Sequence, residues 1–121
     1  LMKKLTAKEE EVMQVLWKLK KAFVKDIIEE LPEPRPHYNT VSTIVRLLEE
    51  RGFVGHKAYG NAHQYFPVVS KSEYTRYYMG DVLANYFDNS VKRMVAFFAE
   101  EEELSEEEIQ EIIRLIEKKG K

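Results

Sequence analysis

The pattern of apolar and polar residues predicts six α-helices along the chain. The clearest signal is one apolar stripe at positions i, i+3, i+4 and i+7, formed by Val41, Ile44, Val45 and Leu48. Gly52 follows the last turn, where a helix usually ends in a left-handed residue. The stretch from Tyr38 to Gly52 is therefore predicted to be a helix with one buried face.

The opposite face of this helix carries compact hydrogen-bonding side chains with almost no acid among them, namely Tyr38, Asn39, Thr40, Ser42, Thr43 and Arg46. In a chain that is 33% charged, an ordinary solvated face would carry Glu and Lys there. Short polar groups with a cation one turn further on suit the major groove of DNA, where they reach base edges and phosphates. The alternative is an amphipathic core helix with a polar start, and this segment alone favours neither.

The residues before this helix predict the rest of a helix-turn-helix. A capping box at Thr6–Glu9 starts the first helix, whose buried stripe is Val12, Met13, Leu16 and Leu19. A short extended piece at Ala22–Val24 precedes a helix over Lys25–Leu31, which Pro32 ends. The proline-rich connector 32–36 cannot be helix interior, so it joins two helices by a turn of fixed reach.

Two runs rich in aromatic and β-branched residues follow Gly52 and predict a β-hairpin. They flank Ala58–Asn61, which we take as a four-residue loop, and this loop would place His56 opposite His63. Pro67 would end the second strand and mark it as an edge strand. Two facing histidines could bind a metal ion, but zinc sites need three or four protein ligands, so exposed histidines near phosphate are favoured and no metal is expected.

Three more helices are predicted in residues 70–121, with capping boxes at Ser70–Glu73 and Ser105–Glu108. A core of fewer than roughly 60 residues is marginal, and oligomerisation is a common remedy. We therefore divide the chain into a domain of residues 1–69 and a helical dimerisation domain of residues 70–121. The predicted dimer contacts are Tyr78, Val82, Tyr86, Val91, Met94, Val95, Phe98, Ile109, Ile112, Ile113 and Ile116.

Basic and acidic residues are distributed unevenly between the two parts of the chain. Residues 1–72 hold 12 Lys and Arg against 9 Asp and Glu, whereas residues 73–121 hold 7 against 12. The basic excess thus lies with the third helix but is modest, so dimerisation must supply much of any affinity for DNA. The acidic cluster of Glu100 to Glu103 and Glu106 to Glu108 could bind a cation, but a solvated helix end is favoured.

Other classes of protein are disfavoured by what the sequence lacks. The chain has no cysteine, which rules out disulfides and thiol catalysis, and no apolar run long enough to span a membrane. No secretion signal is seen at the start, so a cytoplasmic, nucleoid-associated location is expected. No constellation for acid–base or nucleophilic catalysis is present, because Ser70, Ser90 and Ser105 are explained as helix caps. Neither enzymatic activity nor a cofactor is expected.

The order of elements is helix, short strand, helix, helix, hairpin and helical tail, and its first five parts make a winged helix. Over nearly its whole length the chain resembles the penicillinase-repressor family of winged-helix transcriptional regulators (BlaI/MecI/CopY type). No single piece is specific, but the ordered set is. The resemblance rests on Leu5-Thr6, Glu11-Val12-Met13, Leu16-Trp17, Asn39-Thr40-Val41, Thr43, Leu47, Gly52, Gly60, Tyr65 to Pro67, Ser70, Glu73-Tyr74, Phe87 to Ser90 and Leu104-Ser105.

The resemblance implies a homodimeric repressor that binds double-stranded palindromic operator DNA, such as that of β-lactam-resistance genes, through its third helix and wing. In the family, a membrane sensor protease or, in the copper-responsive branch, metal ions end repression. The cysteine cluster of the copper branch is absent here. The Asn-Phe bond that is cut in the β-lactam branch is replaced by Phe97-Phe98, and Asn61 stands where relatives often carry Arg on the wing.

Two hypotheses follow for the function. The first is a sequence-specific repressor in which Tyr38, Asn39, Thr40, Ser42 and Thr43 meet bases and phosphates, while Arg46, Lys57, Asn61 and His63 hold or flank the DNA backbone. The second is a winged-helix module that binds protein and not DNA, which the low net charge favours, since fold alone does not settle function.

Overall fold

In a computed structural model, residues 2–101 and 104–119 of the chain are described, apart from the side chains of residues 116, 117 and 119. The described elements are, in order, α1 (Ala7–Leu19), β1 (Ala22–Phe23), α2 (Val24–Glu30), α3 (Tyr38–Glu50), β2 (Val54–Tyr59), β3 (Ala62–Pro67), α4 (Lys71–Tyr86), α5 (Val91–Glu101) and α6 (Glu106–Lys119). Within these described residues, none of the helices combines the length and the apolar character that crossing a membrane requires.

The predicted fold class is confirmed: a winged helix with a β-hairpin wing is followed by three helices. The chain divides into two compact units, Leu1–Tyr77 and Tyr78–Lys121. This division lies eight residues after the predicted domain boundary at residues 69 and 70, because the first two turns of α4 belong to the N-terminal unit.

Tyr74 accounts for this later division. It lies on α4, its side chain is buried, and its hydroxyl accepts a hydrogen bond from the backbone N–H of Leu5 at 2.8 Å. Its ring packs near those of Trp17 and Phe53, with both centroid distances at 6.0 Å. The Trp17 indole N–H also donates to the carbonyl of Val69 at 2.9 Å. These contacts join the start of α4 to the winged helix.

The core of the N-terminal unit lies among α1, α2 and α3. The helical stripes predicted from the sequence supply it, with Ile44 and Leu19 at its half-buried margin. Burial of each large aliphatic side chain contributes roughly 1.5–3 kcal/mol, so this cluster dominates the stability of the unit. The side chains that are completely buried are Met13, Leu16, Ile27, Val41, Val45 and Leu48.

The predicted capping box of α1 is confirmed and extends into an ion pair with α3. Thr6 Oγ1 accepts from the backbone N–H of Glu9 at 3.2 Å, and Glu9 Oε1 accepts from the N–H of Thr6 at 2.9 Å. The same Glu9 oxygen accepts a 2.7 Å bond from Arg51, the residue that follows α3. Burial raises the pKa of the Glu9 carboxyl, but the bonds to Thr6 and Arg51 and the guanidinium charge outweigh it, so the pKa lies below its ordinary value.

Replacing Glu9 with Gln is expected to lower the free energy of unfolding by about 1–3 kcal/mol at neutral pH, because Arg51 loses its charged partner. Since the folded-state pKa of Glu9 is lowered, its contribution is present above the unfolded-state pKa and is lost as the pH falls through the folded-state pKa. In urea unfolding, the wild type and Glu9→Gln should therefore differ in free energy of unfolding at neutral pH, and this difference should disappear at acid pH. The exposed Glu11→Gln change is the control, and a difference that persists in acid would contradict the ion pair as its source.

The predicted hairpin is present, but its predicted loop and register are wrong. The strands pair from Tyr59 and Ala62 outward, so only Gly60 and Asn61 form the turn, and Gly60 takes a φ of 63° that suits glycine. His56 is opposite Tyr65 and not His63. The error is a shift of two residues in the pairing. Because side chains alternate with period two, such a shift leaves each side chain on its predicted face.

The prediction that the second hairpin strand is an edge strand is also wrong. The sheet has the order β1-β3-β2, so β3 lies in the centre, with Ala22 opposite Tyr65 and Phe23 opposite Gln64. Pro67 is tolerated because it lies at the last position of β3, beyond the two-residue pairing with β1.

The C-terminal unit contains the helix starts predicted from the sequence. Ser90 Oγ accepts from the backbone N–H of Arg93 at 3.1 Å, and Ser105 forms a reciprocal capping box with Glu108. Several of the predicted dimer contacts are exposed in the protomer, notably Tyr86, Val91, Phe98 and Ile113, while Tyr78, Val82, Met94, Val95, Ile109 and Ile112 are half-buried. The predicted contact of the Ile116 side chain lies outside the described residues.

Candidate nucleic-acid interface

Helix α3 presents the predicted polar residues on its outer side. Tyr38, Asn39, Thr40, Thr43 and Arg46 are exposed, and Ser42 is half-buried. The Thr43 hydroxyl donates to the carbonyl of Asn39 at 2.9 Å, and Arg46 Nε donates to the carbonyl of Ser42 at 3.3 Å. Both bonds run back along the helix and fix these side chains in place. The Thr43 oxygen can still accept a hydrogen bond, and both terminal nitrogens of Arg46 can still donate.

One depression lies between α3 and the wing, and it brings together most of the predicted DNA-binding residues. Its polar lining consists of Tyr38, Asn39, Ser42 and Arg46 from the helix together with Asn61 and His63 from the hairpin. Val24 and the buried Tyr65 also line it. Amide, hydroxyl and guanidinium groups therefore converge along one face of the winged helix, as recognition of base edges and phosphates requires.

A second groove flanks α3 on the side away from the wing. Asn39, Thr40 and Thr43 line it together with Ile44 and Leu47, and the start of α1 contributes Thr6, Lys8 and Glu9. Asn39 lines both grooves. The predicted DNA-binding residues are thus distributed over both sides of α3. Lys8, which was not predicted to bind DNA, adds a cation at the edge of this second groove.

Lys57 is not brought together with the other predicted residues. It pairs with Gln64 across the hairpin, whereas the neighbouring pair of His56 and Tyr65 faces the opposite side of the sheet. The Lys57 ammonium lies 5.3 Å from the centre of the Tyr59 ring. Lys57 is therefore on the outer face of the wing, away from α3.

An ion-pair geometry between His56 and Glu49 connects the wing to α3. The Nδ1 atom of His56 lies 2.7 Å and 2.9 Å from the two carboxylate oxygens of Glu49. The rings of His56 and His63 are stacked, with centroids 4.2 Å apart and an angle of 14° between their planes. The two rings therefore meet by a diagonal contact between the strands, although the predicted pairing of His56 directly opposite His63 is wrong. Over residues 2–101 and 104–119, no group of three or more His, Asp or Glu side chains is placed to hold a metal ion.

Tyr65 forms the floor of the depression between α3 and the wing. Burial raises the pKa of its phenol, and the nearby Glu49 charge raises it further, while Arg46 opposes the shift. The phenol therefore stays neutral throughout the physiological pH range. Glu49 and Tyr65 were not predicted to be part of this site. Their only sequence signal is that Glu49 follows Arg46 by three positions and Tyr65 follows His63 by two.

Comparison with known proteins identifies the family. The sequence model described as "Penicillinase repressor" matches residues 5–118, which is nearly the whole chain. The chain belongs to the penicillinase repressor family. The predicted resemblance is thereby confirmed.

Two other members of the penicillinase repressor family align with this chain over most of their lengths. The chain is 28% identical over 116 residues to the methicillin resistance regulatory protein MecI of Mammaliicoccus sciuri, covering 95% of this chain and 94% of MecI. It is 29% identical over 110 residues to the penicillinase repressor of Bacillus licheniformis, covering 90% of this chain and 86% of that protein.

A solved structure within the family matches the N-terminal part of the fold. The solution structure of the DNA binding domain of the repressor BlaI superposes with a TM-score of 0.51 at 30% sequence identity. The match covers 60% of this chain and 94% of that domain. The winged helix described above therefore has the fold of a DNA binding domain from the same family.

Proposed function

We propose that this penicillinase repressor family member is a transcriptional repressor that binds double-stranded operator DNA through α3 and the wing. The observation that carries the proposal is the depression in which Asn39, Ser42 and Arg46 of α3 meet Asn61 and His63 of the wing. Such convergence of short polar groups and a cation on an exposed helix matches what base edges and phosphates offer in the major groove. The family membership and the fold of the BlaI DNA binding domain support the same assignment.

The proposal includes a homodimer formed by the C-terminal unit. Phe98 is 44% exposed and Ile113 is 37% exposed in the protomer, and both carry large apolar side chains. A second copy would cover such surface, and two recognition helices would then meet two half-sites about 34–36 Å apart or a multiple of that distance. The modest basic charge of residues 1–72 supports this arrangement, because a single half-site would be held weakly.

Target genes and relief of repression are further parts of the proposal. The named relatives are methicillin resistance and penicillinase regulators, so we place the target among genes of β-lactam resistance. Cleavage by a membrane sensor protease in the region of Phe97 and Phe98 would end repression. Both side chains are exposed, but their backbone lies within α5, so this helix must open locally before a protease can cut it.

Selection from a random pool of duplex DNA tests the function and identifies the operator sequence in the same experiment. The full chain is expected to enrich a palindromic duplex whose half-sites are spaced by about 10 base pairs or a multiple of that number. Binding measured by gel shift should weaken steeply as salt rises, because bound phosphates release counterions. Failure to enrich any sequence above the starting pool would contradict the proposal and favour a winged-helix module that binds protein.

A further inference from the structure

An exposed leucine stands among the polar residues of the proposed reading face. Leu47 is 47% exposed, whereas the core positions Val41, Val45 and Leu48 of the same helix are completely buried. It follows Thr40 by seven residues, so the two side chains lie on the same outer side of α3. A large apolar side chain at this position contributes little to the core and is available to a ligand.

The surroundings of Leu47 are continuous with the surface proposed to read bases. Leu47 lines one groove together with Asn39, Thr40, Thr43 and Ile44. Thr40, Thr43, Ile44 and Leu47 follow one another at helical spacing i, i+3, i+4 and i+7, so the four residues share one face of α3. From Thr40 to Leu47 the helix rises about 10.5 Å, which is roughly three base-pair steps of duplex DNA.

The major groove offers one apolar group to such a surface, the C5-methyl group of thymine. Cytosine, adenine and guanine present hydrogen-bonding atoms there, which a leucine can neither satisfy nor replace. Contact with a thymine methyl would remove both apolar surfaces from water and would discriminate against the other bases. Hydrogen bonds from Asn39 and Thr43 would not supply this preference.

We propose that Leu47, supported by Ile44, is a specificity-determining residue that selects thymine by its methyl group within each half-site. This inference rests on the proposed function, since it assumes that α3 lies in the major groove. Lys8, exposed at the edge of the same groove, then faces the phosphates that flank this base and holds the helix at that depth.

Replacing each thymine of the enriched duplex by uracil, symmetrically in both half-sites, removes only the methyl groups. At one or more positions, this replacement is expected to weaken binding by the wild-type protein about fourfold per methyl group, or about fifteenfold when the methyl groups of both half-sites are removed. For Leu47→Ala the thymine and uracil duplexes should bind alike at that position. Val68→Ala, an exposed aliphatic side chain outside this groove, should keep the full preference for thymine.

The outcomes separate this inference from the function on which it rests. Suppose that the protein enriches a duplex, but that each uracil replacement lowers the affinity of Leu47→Ala as much as it lowers that of the wild type. Leu47 then does not read a methyl group, and the inference is overturned. The same holds if no uracil position affects the wild type. If no duplex is enriched at all, the proposed function fails, and the role of Leu47 fails with it. Unfolding curves of Leu47→Ala should lie close to those of the wild type, because about half of the side chain is exposed and it lies outside the fully buried core.

Discussion

Simultaneous replacement of Asn39, Thr40 and Thr43 with alanine is expected to reduce operator affinity by about a thousandfold at physiological salt. Each good bidentate contact to a base edge discriminates by roughly 1–3 kcal/mol, and a dimer loses every contact twice, so the loss is limited by the gap of roughly a thousandfold or more between specific and nonspecific binding. The affinity should fall to the level of nonspecific DNA, which depends on phosphate contacts that these residues do not dominate. Gel shifts with the enriched duplex and with an unrelated duplex measure both quantities.

Thr75→Ala is a matched control for this triple variant. Like Thr43, Thr75 is exposed on a helix and its hydroxyl donates to the carbonyl four residues earlier, here Lys71, at 2.7 Å. It lies on α4 and lines neither groove beside α3. The control should bind the operator as the wild type does. A triple variant that is folded and still prefers the enriched duplex would show that another surface reads the sequence.

Replacing Phe98 with Glu is expected to abolish the dimer at micromolar concentration and to weaken operator binding by about a hundredfold. A buried charge at the centre of an apolar contact is costly, and the two DNA-binding units then lose the gain in effective concentration that linkage provides. Because Phe98 is 44% exposed in the protomer, the protomer itself should remain folded. Sedimentation analysis and gel shifts measure the two effects.

Ala96→Glu introduces the same charge on the same helix but on the opposite side. Position 96 lies about 200° around α5 from position 98, and Ala96 is exposed. This variant should remain dimeric and should bind the operator normally. If Phe98→Glu forms dimers as stable as those of the wild type, Phe98 does not lie in the dimer contact.

Local sequence signals predicted the helices and their ends well. The capping pairs Thr6–Glu9, Ser70–Glu73 and Ser105–Glu108 all form the predicted reciprocal bonds, because both partners lie three residues apart in one turn. The polar positions of α3 could likewise be found from spacing alone, since helical periodicity determines which side chains share a face.

Contacts between elements could not be predicted in the same way. The two-residue error in the hairpin register arose because Ala58–Asn61 and Gly60-Asn61 are both reasonable turns, and only the three-dimensional pairing decides between them. The pairing of Arg51 with Glu9 joins residues 42 positions apart, and no periodicity predicts it. Leu47 lies outside the predicted apolar stripe of α3, but spacing along one helix does not show which groove an exposed leucine lines.

The contacts of Trp17 have a practical consequence for experiments on the chain. It is the single tryptophan of the sequence, and its indole bonds the Val69 carbonyl while its ring lies beside Tyr74. Indole fluorescence therefore reports whether the start of α4 stays attached to the winged helix. Emission spectra can consequently follow the opening of this junction by itself, while ellipticity at far-ultraviolet wavelengths records the loss of helix throughout the chain.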